Sequence, residues 1–292
     1  MEQQPPPPVQ RPVIVLRHPA RAVRIAEALR AAGMTAYALP LTDTELPADA
    51  GAVAAALEAL GQGAFAWLTV TSGNTVRALE LLAGTGGATL GGLVRAGGAR
   101  VAAVGAGTAR LLADAGIAVD LVPGDASSSG LLDAFGPGAG QVLLPQADLA
   151  PDDLRHGLAA LGWSVCHVEA YRTVPYPAHP ARRVPGVEED GTPPPLLSVP
   201  DVLRLAADPV HPAVVFTAPS TVLQFRERLG GGPLAFLPVA IGRTTAAALR
   251  SQGWEPAATA GEPTPPGITA AVVEAFSRGA TTHPAPQNGD RP

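Results

Sequence analysis

The sequence predicts an α/β protein made of two similar parallel-sheet lobes, and three observations carry that prediction. Short β-branched apolar runs alternate with Ala-, Leu- and Arg-rich helical stretches, the pattern of strands joined by crossover helices. Several sequence elements recur in two parts of the chain, as they do when a fold contains two related halves. Hydrophobic residues make up 47% and charged residues 15% of a 292-residue chain, enough for two domains with substantial cores.

Taken in order, strand 13–16 precedes helix 20–32, and strand 35–39 precedes helix 50–60. Strand 65–70 runs into helix 74–82. Strand 100–104 runs into helix 108–115, strand 118–122 into helix 129–135, and strand 141–144 into helix 151–161. A long strand follows at 164–174, then an insert at 175–200 containing Pro193-Pro194-Pro195 and Glu188-Glu189-Asp190. The chain closes with helix 201–207, strand 213–217, helix 220–229, strand 238–241, helix 244–251, strand 255–259 and helix 267–276. The Pro-rich start, residues 1–10, and the polar end, residues 279–292, read as disordered tails.

The repeat is read directly. Ala66-Trp67-Leu68-Thr69-Val70-Thr71-Ser72-Gly73-Asn74-Thr75-Val76 is matched by Ala213-Val214-Val215-Phe216-Thr217-Ala218-Pro219-Ser220-Thr221-Val222. Val104-Gly105-Ala106-Gly107-Thr108-Ala109 is echoed by Ile241-Gly242-Arg243-Thr244-Thr245-Ala246, with Gly116 and Gly253 closing the two helices. A third echo pairs Leu29-Arg30-Ala31-Ala32-Gly33 with Leu158-Ala159-Ala160-Leu161-Gly162.

Charge and composition exclude several classes. A net charge of −5 with no basic run argues against nucleic-acid binding. The single cysteine, Cys166, leaves no intrachain disulfide and points to a reducing, cytoplasmic setting. The first dozen residues lack the apolar run of a secretory signal. The stretch 51–70 is broken by Glu58 and Gln62, so no membrane span is expected. No phosphate loop, dinucleotide fingerprint or nucleophile elbow is present, and the six histidines lack metal spacing, so no metal is expected. Asp152-Asp153 reads as helix N-terminal charge and Cys166 as a small core residue.

What remains is chemistry at strand ends. In each Gly-x-x-Thr-Ala segment a strand ends, glycine turns the chain, and Thr108 or Thr245 falls in the first turn of a helix. Unpaired amides and the helix dipole favour an anion there. The plain alternative is a turn glycine and a capping threonine; two copies favour the anion site. Thr71, Ser72 and Asn74, and Thr217, Ala218 and Ser220, occupy equivalent turns, and ligands of open α/β sheets bind beyond the carboxyl ends of strands. The donors expected are amides and hydroxyls rather than Lys or Arg, which suits a polycarboxylate in an inter-lobe cleft. Tyr171 has two readings: a strand tyrosine with a wet tip, or a cleft phenol that donates to a leaving hydroxyl.

These segments together resemble the uroporphyrinogen-III synthase family over residues 13–277. The resemblance rests on Leu16-Arg17-His18-Pro19, Thr71-Ser72-x-Asn74, Val104-Gly105-x-x-Thr108-Ala109 and Ser128-x-x-Leu131-Leu132. It continues in Tyr171-Arg172-Thr173, Phe216-Thr217-x-Pro219-Ser220, Ile241-Gly242-x-Thr244-Thr245-Ala246 and Ala260-x-x-Pro263-Thr264. It implies two flavodoxin-like lobes joined by a two-stranded β ladder. Lobe one is then 11–39 plus 175–278, lobe two 44–168, and the ladder 40–43 with 169–174. It also implies a cofactor-free, monomeric lyase that cyclises hydroxymethylbilane to uroporphyrinogen III, inverting ring D with loss of water. The preceding bilane-forming enzyme is the partner it suggests. Carried over residue by residue, Tyr171 is the catalytic candidate. Arg17, Thr71, Ser72, Asn74, Thr108, Ser128, Thr217, Ala218, Ser220, Thr244 and Thr245 are the substrate-binding candidates. Four departures stand out: Ala218 where serine is usual, Leu144-Pro145-Gln146-Ala147 in place of an Arg-Gly pattern, Gly73 where Pro or Ala is commoner, and His18 inserted before Pro19. They motivate an alternative, a divergent paralogue that binds tetrapyrroles or carboxylates without catalysis.

Overall fold

A computed structural model describes residues 11–186, 189–229 and 234–281; the expected tails at 1–10 and from 282 lie outside the described residues. The chain folds into two compact units, one taking the chain up to Leu41 and again from Gly186, the other Thr42–Pro185.

In the first unit, β1 (Pro12–Val15) lies beside β2 (Thr35–Ala38) and β8 (Ala213–Phe216), which in turn meets β9 (Leu237–Ala240) and β10 (Ala258–Thr259). All pairings are parallel. Numbered within the unit, the order is 2-1-3-4-5, the flavodoxin-like arrangement, with its switch point between β1 and β8. Parallel strands covered on both faces need apolar residues throughout, and these have them. Val13, Val15, Val215 and Val239 pack with α1 (Val23–Ala31) and α11 (Pro265–Thr281). Ile14, Val214, Phe216 and Ala240 pack with α9 (Pro219–Arg228) and α10 (Arg243–Ser251). On the latter face Phe216, Phe225, Phe236 and Trp254 form an aromatic cluster with centroids 5.2–6.2 Å apart.

The second unit repeats this plan with its strands in a different chain order. β4 (Trp67–Val70) lies beside β5 (Arg100–Ala103) and β6 (Gln141–Ala147). β6 pairs parallel with β7 (Ser164–Pro175), and β7 pairs antiparallel with β3 (Thr42–Glu45). Leu68, Val70 and Leu143 pack with α2 (Gly51–Gly61) and α3 (Gly73–Thr85). Trp67, Val142 and Leu144 pack with α6 (Ser128–Phe135) and α7 (Asp153–Ala160). The sequence repeat is thus a structural one. Gly116 and Gly253 end equivalent helices at φ 73° and 80°, a left-handed conformation that glycine adopts without steric cost.

Several elements differ from expectation, each for a local reason. Helix 20–32 divides into a 3-10 turn (Pro19–Arg21) and α1, with Ala22 at φ −112° between them. Residues 118–122 form no strand. The Asp120 carboxylate takes the Val101 N–H at 2.7 Å, and Leu121 keeps one isolated bridge to Ala102. Strand 255–259 shrinks to Ala258–Thr259, because neither Pro238 nor Pro256 has an N–H to donate. Helix α11 runs through Thr281, past the expected start of the tail at Gly279.

Helix α4 (Leu90–Gly97) was not anticipated, because Gly91, Gly92, Gly97 and Gly98 read as a loop. Its glycines serve close packing: a methyl group on Gly97 would come within 1.8 Å of the Leu60 carbonyl oxygen. Within the insert, the Glu189 carboxylate accepts the Arg24 N–H at 2.9 Å, a negative charge at the start of α1.

Residues 175–185, assigned to lobe one from sequence, belong with the second unit. Carboxylates of β3 hold them there. Glu45 accepts His179 N–H at 3.0 Å and Arg182 Nη2 at 3.2 Å, and Asp43 pairs with Arg183 at 3.1 Å. The His179 amide is the main cause holding the Glu45 carboxyl below its ordinary range; burial opposes it and Arg182 adds to it. A depressed carboxyl stabilises the fold above its unfolded value, and that stability is lost as pH falls through the folded value. Glu45→Gln should therefore lower stability at pH 7 by about 1.5–3 kcal/mol. Urea denaturation across pH 7 to about 3 should also show a flatter acid limb than in the parent. Parallel limbs would contradict the assignment.

Candidate active site

Each unit brings its predicted residues to the carboxyl edge of its own sheet. In the second unit β4 ends at Val70, and the chain passes through Thr71 to Ser72, the N-cap of α3 at φ −150°, ψ 156°. The Ser72 hydroxyl oxygen accepts the Thr75 N–H at 3.2 Å. It also lies 3.0 Å from the Thr75 hydroxyl and 3.1 Å from the Tyr171 hydroxyl. A serine oxygen offers one proton and two lone pairs, so Ser72 has no capacity left for a ligand. Its hydroxyl is engaged within the unit.

Tyr171 reaches Ser72 because of a bulge. Gln146 pairs with Glu169 but Ala147 pairs with Tyr171, skipping Ala170, and this extra residue re-aims the side chains beyond it. The ring is buried with 8% exposure, and the hydroxyl meets Ser72. Behind it, the Asp148 N–H donates to the Tyr171 carbonyl at 3.0 Å, and the Asp148 carboxylate accepts the Thr173 N–H at 3.1 Å.

Asn74 bridges two elements, donating to the Thr44 hydroxyl at 3.2 Å and accepting from Arg77 at 3.1 Å. Arg77 was not read from the sequence; its signal is the one-turn spacing from Asn74. Helix α5 (Ala106–Asp114) begins at Gly105, extended at φ −156°, with no side chain capping it. The first-turn amides of Ala106, Gly107 and Thr108 are therefore uncapped. Thr108 is half-buried, and its hydroxyl makes no hydrogen bond among the described residues. Ser128 stands exposed at the first position of α6; the capping serine is its neighbour Ser127, which accepts Gly130 N–H at 3.0 Å.

The first unit repeats these turns with fewer hydroxyls. Thr217 donates to the Leu16 carbonyl at 2.9 Å, tying the ends of β8 and β1 together across the switch point. Ala218 is the N-cap of α9 and supplies no side-chain cap; Ser220 is exposed. Gly242 caps α10 in extended conformation, also without a side chain, and Arg243 and Thr244 are exposed in its first turn. Thr245, offered to a ligand by the sequence reading, is only 1% exposed. The repeat places it on the helix face that packs on the sheet.

Arginines also stand at these turns, Arg17 among the sequence candidates and Arg243 not. Arg17 leaves β1 at the switch point, is half-buried, and has one long contact, Nη1 to the Arg21 carbonyl at 3.4 Å. Burial, followed by repulsion from Arg21, lowers the Arg17 guanidinium below its usual value, and Glu189 offsets part of this. A guanidinium so placed gains from any carboxylate that arrives. Arg243 puts a cation at the positive end of α10, where the dipole disfavours it.

The strand order defines a two-unit α/β protein whose sheet edges carry capless helix N-termini and arginines. The model of the family described as uroporphyrinogen-III synthase HemD matches residues 23–270, and the chain belongs to that family of tetrapyrrole-biosynthesis enzymes. Among solved structures, a mutant uroporphyrinogen III synthase from the extremely thermophilic bacterium Thermus thermophilus is 24% identical with a TM-score of 0.58, over 94% of this chain and 100% of that one. The uroporphyrinogen-III synthetase of Helicobacter pylori 26695 is 18% identical with a TM-score of 0.51, over 94% of this chain and 99% of that one. Both likenesses are of fold. None of the curated proteins matches the chain. No helix among the described residues is long and apolar enough to cross a membrane.

The bare cap of α9 generates a prediction. The Thr221 N–H now donates only to the Ala218 carbonyl, at 3.2 Å; Ala218→Ser should give it the hydroxyl cap present at the equivalent Ser72 and stabilise the first unit by about 0.5–2 kcal/mol in thermal unfolding. An unchanged or lowered midpoint would show that the α9 amides are already satisfied.

Proposed function

We propose that this chain is a uroporphyrinogen-III synthase that closes hydroxymethylbilane with inversion of ring D and net loss of one water. The observation that carries the reading is the Tyr171 phenol, fixed by Ser72 beside the carboxyl ends of β4 and β6 in a chain of this family. The substrate's eight carboxylates need many donors. The uncapped amides after Gly105 and Gly242 and the guanidiniums of Arg17, Arg77 and Arg243 suit that need.

The hydroxymethyl carbon–oxygen bond on ring A breaks as Tyr171 gives its proton to the departing oxygen, and water leaves. The ring-A azafulvenium cation is attacked by the ring-D carbon that already carries the bridge to ring C, giving a spirocyclic intermediate; that bridge bond breaks to leave a cation on ring C, which the other α-carbon of ring D captures, so that ring D is inverted. Final ring closure releases a proton from the newly bonded pyrrole carbon, which restores the Tyr171 phenol. The main contribution is conformational: the bilane closes unaided to the uninverted isomer, so the protein's task is to hold the reacting carbons in the inverting geometry. A short-lived substrate of this kind also favours handover from the bilane-forming enzyme.

Incubation with enzymatically generated hydroxymethylbilane should give the type-III isomer by chromatography. Type I alone, as in buffer, would contradict the reading, and thermal stabilisation by the bilane without type-III product would favour a non-catalytic binder. Tyr171→Phe should lower turnover by up to about a hundredfold, the low end of general-acid contributions because the substrate ionises unaided, with little change in KM. Unchanged turnover would remove Tyr171 from the chemistry.

A further inference from the structure

Three hydroxyls stand in a row in the second unit: Thr75, Ser72 and Tyr171. Ser72 Oγ is 3.0 Å from Thr75 Oγ1 and 3.1 Å from the Tyr171 hydroxyl oxygen. Distances alone leave open which atom donates in each contact, but a count of protons and lone pairs does not. The Thr75 N–H already occupies one lone pair of Ser72 Oγ. One lone pair and one proton remain for two neighbours, so Ser72 must accept from one and donate to the other.

The two possible directions are not equal. If Tyr171 donates to Ser72, then Ser72 donates to Thr75, and the Thr75 proton has nowhere to go. Thr75 is 0% exposed, and Ser72 is the only partner of its hydroxyl among the described residues. A buried O–H without an acceptor costs more than the hydrogen bond it forgoes is worth. If Thr75 donates to Ser72, then Ser72 donates to Tyr171, and the one proton left over is that of Tyr171, which keeps 8% exposure against 0% for Thr75. The Tyr171 proton then points away from the chain of hydroxyls.

We infer that Thr75 is a positioning residue that sets the direction of this relay, Thr75 to Ser72 to Tyr171, and so keeps the Tyr171 O–H turned outward as a donor to bound substrate. The inference deepens the proposed function and rests on it for its consequence. When the phenol gives up its proton, the resulting phenolate already accepts a hydrogen bond from Ser72. Thr75 touches neither substrate nor phenol.

The direction is testable without the reaction. The intensity ratio of the tyrosine Fermi doublet in a Raman spectrum distinguishes a phenol that accepts a hydrogen bond from one that donates it into the protein. In a Tyr37→Phe/Tyr176→Phe background Tyr171 is the sole tyrosine; the difference between the parent and Tyr171→Phe gives the same signal without those changes. Tyr171 should read as an acceptor. Adding Thr75→Val, which keeps the shape and removes the donor, should shift it toward a donor, and Thr75→Ser should restore the parent ratio. A donor signature in the parent, or no response to Thr75→Val, overturns the inference.

In the isomer assay Thr75→Val should lower kcat by about fivefold with KM unchanged, and Thr75→Ser should recover it. Equal kcat for both variants and the parent would refute the positioning role. A parent that makes no type-III isomer yet shows the acceptor signature would sink the proposed reaction and leave the relay standing.

Discussion

The constraint on which the site depends is the unpaired amides at the start of every helix. A strand that ends at the carboxyl edge of a parallel sheet passes its chain to a helix whose first N–H groups have no partner within it. This chain treats those amides differently from turn to turn. Ser72 and Ser127 cap theirs with a hydroxyl, whereas Gly105, Ala218 and Gly242 leave theirs without a side-chain cap. The uncapped turns are the ones able to take a carboxylate. The capped Ser72 is instead drawn into a hydroxyl chain that reaches Tyr171.

The fold was legible because its halves repeat. The Gly-x-x-Thr-Ala echo became two equivalent glycine N-caps, and the paired helix-ending glycines became two left-handed turns. Less of the detail was readable where a side chain substituted for backbone. The Asp120 carboxylate occupies a ladder position that periodicity assigned to a strand. The glycines of α4 looked like a loop because their purpose, backbone contact with α2, depends on a partner distant in sequence.

The candidate site was legible by position but not by valence. Motif matching located Ser72, Thr108, Tyr171, Thr217 and Thr245 at strand ends, yet it treated every hydroxyl as a free donor. Packing leaves Thr245 only 1% exposed, and hydrogen bonds occupy Ser72. Arg77 and Arg243 were missed for the opposite reason: one follows its motif by a turn and the other fills a variable position inside it, where an arginine on a helix ordinarily reads as a solvated face. Amides and guanidiniums at these turns would let an acidic chain take the polyacid of the proposed reaction.

The central claim is that uncapped strand-end amides in both units take the ligand's carboxylates. Backbone amide shift mapping by NMR with an octacarboxylate tetrapyrrole tests it most directly. The account predicts concurrent shifts at 106–108, at 220 and at 243–245, with smaller changes at the capped turns 74–75 and 129–130. Shifts confined to one unit, or shifts that follow the arginine side chains while these amides stay still, would contradict it.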